Sequence, residues 1–93
     1  MAELWFDPEA DAALAALEND PSRSRMFERI QDLLDLLESD PGDARVRRVR
    51  FHQPALWCVT VFAAEEEWAI LWEPHPTMAD VVVVQYVGPA TFA

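Results

Sequence analysis

Around Asp40-Pro41-Gly42 the hydrophobic pattern of this chain changes period, and that change fixes two kinds of element in a set order. Before it, Met26, Phe27, Ile30, Leu33, Leu34 and Leu37 recur at helical spacing, with Glu28, Arg29, Asp32, Asp35 and Glu38 left for water. An earlier stretch places Ala10, Ala13, Leu14 and Leu17 on one helical face, ending near Asn19. Asp7-Pro8 and Asp20-Pro21 each put a capping carboxylate before a proline suited to a first helical turn. Helices are therefore expected over about residues 8–19 and 22–39, with Glu3-Leu4-Trp5-Phe6 able to form a short leading strand.

Beyond Ala44 the period is two. Trp57, Val59 and Val61 alternate with Cys58, Thr60 and Phe62, and Trp68, Ile70 and Trp72 alternate with Ala69, Leu71 and Glu73. Val81-Val82-Val83-Val84 is β-branched throughout, as expected for a strand covered on both faces or central in a sheet. Ala63 to Glu67 fits a hairpin connection, with Glu65, Glu66 and Glu67 read as solvated, and Pro74 to Met78 a stiffer loop. Val49 and Phe51 begin a further strand, whose alternation Val46 breaks by falling on the opposite face. Two helices followed by strands give an α+β fold, the two N-terminal helices packed on one face of an antiparallel sheet. At 93 residues the chain fits a single domain, residues 1–93.

Charge divides the sequence a second way. The formal net charge is −10, yet Arg45, Arg47, Arg48 and Arg50 fall within six positions, and no acid occurs from Ala44 to Ala64. An anion, whether a phosphate or a partner's carboxylate, meets positive charge there without neighbouring acids. Nucleic-acid binding would have to work through this segment against the field of the rest. Gly42 and Gly88 are the only glycines, so a phosphate-cradling or dinucleotide loop has no material. His52 and His75 stand outside any metal-ligand spacing, so no metal site and no cofactor are expected. Cys58 is the lone cysteine, amid apolar residues, and reads as a buried thiol in a reducing, cytoplasmic setting. The N-terminus lacks a basic segment followed by an apolar run, and no stretch approaches the roughly 20 apolar residues of a membrane span.

The order of these elements resembles the RelE/ParE superfamily of bacterial toxins, in particular its HigB-like branch. The resemblance runs from about Ala10 to Pro89. It is carried by Val46-Arg47-Arg48-Val49, by Leu56-Trp57-Cys58-Val59-Thr60-Val61, by Trp68-Ala69-Ile70-Leu71-Trp72 and by the closing strand from Val81 to Val87. It implies a toxin-like component of a type II toxin–antitoxin system that acts through RNA or through a partner protein. Its partners would be a cognate antitoxin-like protein and RNA or the ribosome. If such a chain cleaves mRNA it does so as a metal-independent endoribonuclease. Arg48 and Arg50 would then hold phosphate, Arg45, Arg47 and His52 support them, and Tyr86 donates a proton. Thr60 and Ala69 stand where the family often has arginine, and Gly88-Pro89-Ala90-Thr91-Phe92 replaces its closing basic cluster. A second reading therefore stands beside the first: a noncatalytic protein-interaction module on the same scaffold, homodimeric if two or more of Trp5, Trp57, Trp68 and Trp72 lie exposed on the uncovered sheet face.

Overall fold

The computed structural model describes residues 2–43, 45–46, 49–52 and 55–90, with backbone only at 49–52 and 55. In chain order these form β1 (Glu3–Phe6), α1 (Pro8–Glu18), a 3-10 turn (Pro21–Arg23), α2 (Ser24–Ser39), β2 (Val49–His52), β3 (Ala55–Ala63), β4 (Glu66–Pro74) and β5 (Val81–Pro89). The expected α+β architecture holds, with both helices preceding the main strands. The five strands lie in the order β1-β5-β4-β3-β2. β2 through β5 are antiparallel neighbours, and β1 adds to β5 in parallel, pairing Glu3 with Val81 and Phe6 with Val84. β5 is thereby central, which accounts for the burial of Val81, Val82 and Val84 in its β-branched run.

The Asp-Pro pairs act as the sequence suggests, with one difference. Asp7 accepts a hydrogen bond from the Glu9 amide and starts α1. Asp20 accepts from the Ser22 amide and hydroxyl, but what it starts is the 3-10 turn, and α2 begins only at Ser24. Arg23 closes this corner. Its guanidinium spans Asp20 at 2.8 Å and Glu66 at 3.0 Å, tying the helix junction to the start of β4. Glu66 is therefore half-buried strand rather than solvated loop, and Glu67 likewise belongs to β4.

Register sorts the side chains onto two faces. Trp57, Val59, Val61 and Ala63 on β3 lie opposite Trp72, Ile70, Trp68 and Glu66 on β4. Except for Glu66 they join Ala10, Leu17, Met26, Ile30, Leu34 and Leu37 in the core between helices and sheet. Phe27, Leu33 and Leu14 pack against its border. The other face carries Cys58, Thr60 and Phe62 opposite Leu71, Ala69 and Glu67, and no helix of the described residues covers it. Trp72 is fully buried and Trp57 stacks on it with ring centroids 6.4 Å apart. Among the described residues the large exposed apolar side chains are Trp5, Phe62 and Met78. The tryptophan patch that a homodimer would use is thus reduced to Trp5. No helix of the described residues is long and apolar enough to cross a membrane.

The β3–β4 hairpin turns in two residues, Ala64 and Glu65, with φ of 51° and 66°. Both lie in the left-handed region that favours glycine or asparagine, so this turn carries backbone strain that the long, well-paired strands hold in place.

Candidate functional site

The arginine segment leaves α2 through a turn built by acids. Asp40 accepts from the Gly42 amide, and the Asp43 carbonyl accepts from the Val46 amide. Asp43 also binds Arg45 twice over, accepting from its backbone amide at 2.8 Å and from Nε and Nη2 at 3.1 and 2.9 Å. The Arg45 side chain, followed by its backbone N–H, holds the Asp43 carboxyl at about 2. A carboxylate shifted down in the folded state adds stability above the ordinary carboxylate range, and loses it as pH falls toward 2. The first arginine of the segment is thus engaged by an acid of its own turn, although 71% of its side chain remains exposed.

Val46 explains the broken alternation. It is 1% exposed, and the Trp72 indole donates to its carbonyl at 2.8 Å. The segment is therefore pinned to the core between its first two arginines, and its backbone cannot run as a regular strand there. Arg47 and Arg48 lie outside the described residues. Arg50 and His52 belong to β2, with backbones opposite Trp57 and Ala55; their side chains lie outside the described residues.

Tyr86 sits elsewhere. On β5 its backbone pairs with Leu71 of β4, and β3 and β4 lie between it and β2, so three strand spacings of roughly 4.8 Å separate β5 from β2. Its hydroxyl donates to the Pro89 carbonyl at 2.6 Å. A Cβ at Gly88 would come within 2.8 Å of that hydroxyl, so glycine there is what lets the ring lie flat along the strand. Tyr86 thus stands on a different strand from Arg50 and His52, and its phenol closes the end of β5. His75 is likewise occupied, its Nδ1 accepting from the Thr77 and Met78 amides and its ring meeting Trp5 edge-on at 5.3 Å.

The sheet face away from the helices has no cation at its centre among the described residues. Thr60, Ala69 and Gly88 lie side by side there, across β3, β4 and β5. Carboxylates stand around them: Glu67 next to Ala69 along this face, Glu73 further down β4 and Glu3 on β1. Cys58 shares this face at 3% exposure, its thiol pushed up first by burial and then by Glu67, which disfavours the thiolate a nucleophile requires. Among the described residues no cluster of three or more His, Cys, Asp or Glu is placed to hold a metal ion.

Where cations do gather is the sheet edge. β2 pairs with β3 only as far as Cys58, and among the described residues no strand continues beside residues 59–63. Between that stretch and α2 lies a groove of about 470 Å³, lined by Arg29, Asp32, Leu33, Arg45, residues 59–61 and Phe62. Phe62 is 63% exposed at its lip. Arg29 has no ion pair among the described residues. Arg29 and Asp32 are exposed, as the polar face of α2 predicts; spacing shows which helix face is polar but not which neighbouring segment borders it. The chain matches no family model, no curated protein and no solved structure.

Proposed function

We propose that this chain is a noncatalytic, partner-binding member of a bacterial toxin–antitoxin type of system, built on a RelE/ParE-like scaffold, and that its partner is an antitoxin-like protein bound along the groove between α2 and β3. The observation that supports this reading is that, among the described residues, β3 has no partner strand on this side beyond Cys58, where Arg29 and Arg45 line a groove. The half of β3 beyond Cys58 offers amides and carbonyls to an added extended segment, and Arg29 and Arg45 stand over it. Strand addition supplies the main-chain hydrogen bonds. The guanidinium forks select carboxylates on the incoming segment, and Phe62 offers an apolar contact at the lip. Elsewhere the surface is acidic and repels such a segment, so the groove is favoured by contrast as well as by contact.

RNA cleavage is disfavoured by the same geometry. Phosphoryl chemistry draws most of its rate from cationic donors placed around the reacting phosphate, and among the described residues the sheet face away from the helices supplies Thr60, Ala69 and Gly88 with glutamates near them. A reducing, cytoplasmic setting accords with the lone, buried Cys58.

The test is inducible expression with a growth readout, alone and with any small protein encoded beside it, followed by affinity measurement on the pair. Arg29→Glu with Arg45→Glu should abolish binding to that protein while the melting temperature stays within a few degrees, and Arg48→Glu with Arg50→Glu should weaken it. Labelled single-stranded RNA titrated at two ionic strengths should bind weakly at physiological salt. RNA binding that stays tight at high salt, or partner affinity indifferent to both arginine pairs, would refute the reading.

A further inference from the structure

Residues 75–80, which join β4 to β5, fold around a single ring nitrogen. His75 Nδ1 accepts from the Thr77 amide at 3.2 Å and from the Met78 amide at 3.1 Å, and the Thr77 hydroxyl lies 3.4 Å from the same atom. A ring nitrogen that accepts carries no proton, so this turn requires the neutral imidazole with its hydrogen on Nε2. The turn holds more than itself. The Met78 carbonyl accepts from the Val81 amide, and the Asp80 carbonyl accepts from the Glu3 amide at 2.7 Å, where β1 begins to pair with β5. The ring's other neighbour is also on β1, since Trp5 meets it at 5.3 Å with an interplanar angle of 79°. β1 has four residues and, among the described residues, pairs with β5 on one side and with no strand on the other. It therefore depends on its end contacts more than the nine-residue strands do.

The other charged residues on the elements that meet here are acids. β1 brings Glu3, whose carboxylate accepts from the Trp5 indole at 2.8 Å, and beyond β1 Asp7 caps α1. β4 brings Glu73, which accepts from the Gln85 side chain of β5, and the loop brings Asp80. The end of α2 brings Glu38, whose carbonyl accepts from the Ala2 amide. β5 has no charged residue, and no arginine occurs in β1, in β4, in β5 or in the loop. An imidazolium in this place has carboxylates around it but no lone pair for the two amides. Imidazole is also the side chain that changes charge between about pH 5 and 8. We propose that His75 is a pH-operated latch on the edge of the sheet. As the neutral base it closes the β4–β5 loop and through that loop holds β1 against β5. On taking a proton from solvent at Nδ1 it releases the Thr77 and Met78 amides, and the start of β1 loosens.

Backbone order parameters from nitrogen-15 relaxation, measured on the full chain at about pH 7.5 and about pH 5, read the latch directly. At the higher pH Thr77, Met78 and Glu3 should lie near the rigid value of about 0.85. At the lower pH Thr77 and Met78 should fall below about 0.6, and Glu3 should fall with them. His75→Asn keeps an acceptor, because an asparagine side-chain carbonyl takes backbone amides in turns of this kind, and it does not titrate. Its loop should stay rigid at both pH values. His75→Ala has no acceptor, so its loop should be mobile at both while the signals of the core stay dispersed. Glu3, Glu73 and Asp80 remain in both variants. A loss of order at low pH in His75→Asn as large as in the native chain would trace the effect to those acids and overturn the proposal. Native order parameters that do not change with pH, or a His75→Ala loop that stays rigid, would overturn it as well.

Discussion

Two buried tryptophans on one strand differ in whether the indole N–H is paired, and the same substitution in each should have unequal consequences. Trp72 is 0% exposed and donates to the Val46 carbonyl at 2.8 Å; Trp68 is nearly as buried and donates to nothing. Replacing either with phenylalanine shrinks the side chain while keeping an aromatic ring, a loss of packing worth about 1–2 kcal/mol, well below the 3–5 kcal/mol of truncation to alanine. In Trp72→Phe a buried carbonyl loses its donor, which adds about 1–3 kcal/mol, for a total of about 2–5 kcal/mol. In Trp68→Phe the buried unpaired donor disappears, and the relief of about 1–3 kcal/mol offsets the packing loss, leaving a net between about 1 kcal/mol of cost and about 2 kcal/mol of gain. For a domain of this size each kcal/mol moves the melting temperature by about 4–8 °C. Urea unfolding with matched m-values reads both variants directly. Equal costs, or a costlier Trp68→Phe, would show that ring volume rather than hydrogen bonding decides, and would remove the account given for the pinning of Val46.

The remaining predictions concern the core, the hairpin and the thiol. Leu34→Ala empties a site that is 2% exposed beneath the sheet and should cost about 2–5 kcal/mol in the same urea assay. Ala64→Asn with Glu65→Gly places the residues that a tight hairpin favours at two left-handed positions. Relief of about 1–2 kcal/mol at each, reduced by glycine's greater chain entropy, should leave a net gain of about 1–2 kcal/mol and a higher melting temperature. Because burial raises the Cys58 thiol above its unfolded value, its contribution to stability is fully present below that value and is lost as pH rises past it. The urea midpoint should therefore decline above about pH 8.5 in the native chain and decline less in Cys58→Ala. A decline of equal size in both would trace the effect to other groups.

How much of this was legible beforehand depends on whether a feature is local. The Met26 to Leu37 stripe, the Asp7-Pro8 cap and the alternation through Trp57 and Trp68 are set by neighbours three or four residues away or fewer, and each appears where the pattern places it. Glu66 was misread because three consecutive glutamates look solvated, and its partner Arg23 lies 43 positions away. Val46 looked like a flaw in a strand; its reason is an indole 26 positions on. The sequence singled out Arg45, but the groove it lines also depends on β2 ending its pairing at Cys58, which no periodicity announces. Tyr86 joins the arginines in the sequence by its chemistry alone, and the strand order that sets its distance from Arg50 is not visible there.

The engagement of Arg45 by Asp43 bears on whether the groove is a site or a finished surface. Had Arg45 been buried against its acid, removing that acid's hold would leave an unmatched charge, and the pair would be structural. Instead the guanidinium is mostly in water, and its partner lies two residues back in the same turn. Such an exposed pair contributes little to stability, so a partner's carboxylate can replace Asp43 at small cost. Until then Asp43 keeps the planar fork in a defined place, by three hydrogen bonds, one of them from the Arg45 backbone itself. Arg29 approaches the same groove from α2 without an acid of its own among the described residues. One cation is thus preorganised and the other unclaimed, on a chain whose charge is otherwise overwhelmingly negative. That asymmetry is what the proposed binding of an acidic segment rests on, and Arg29→Glu tests it apart from the Asp43–Arg45 pair.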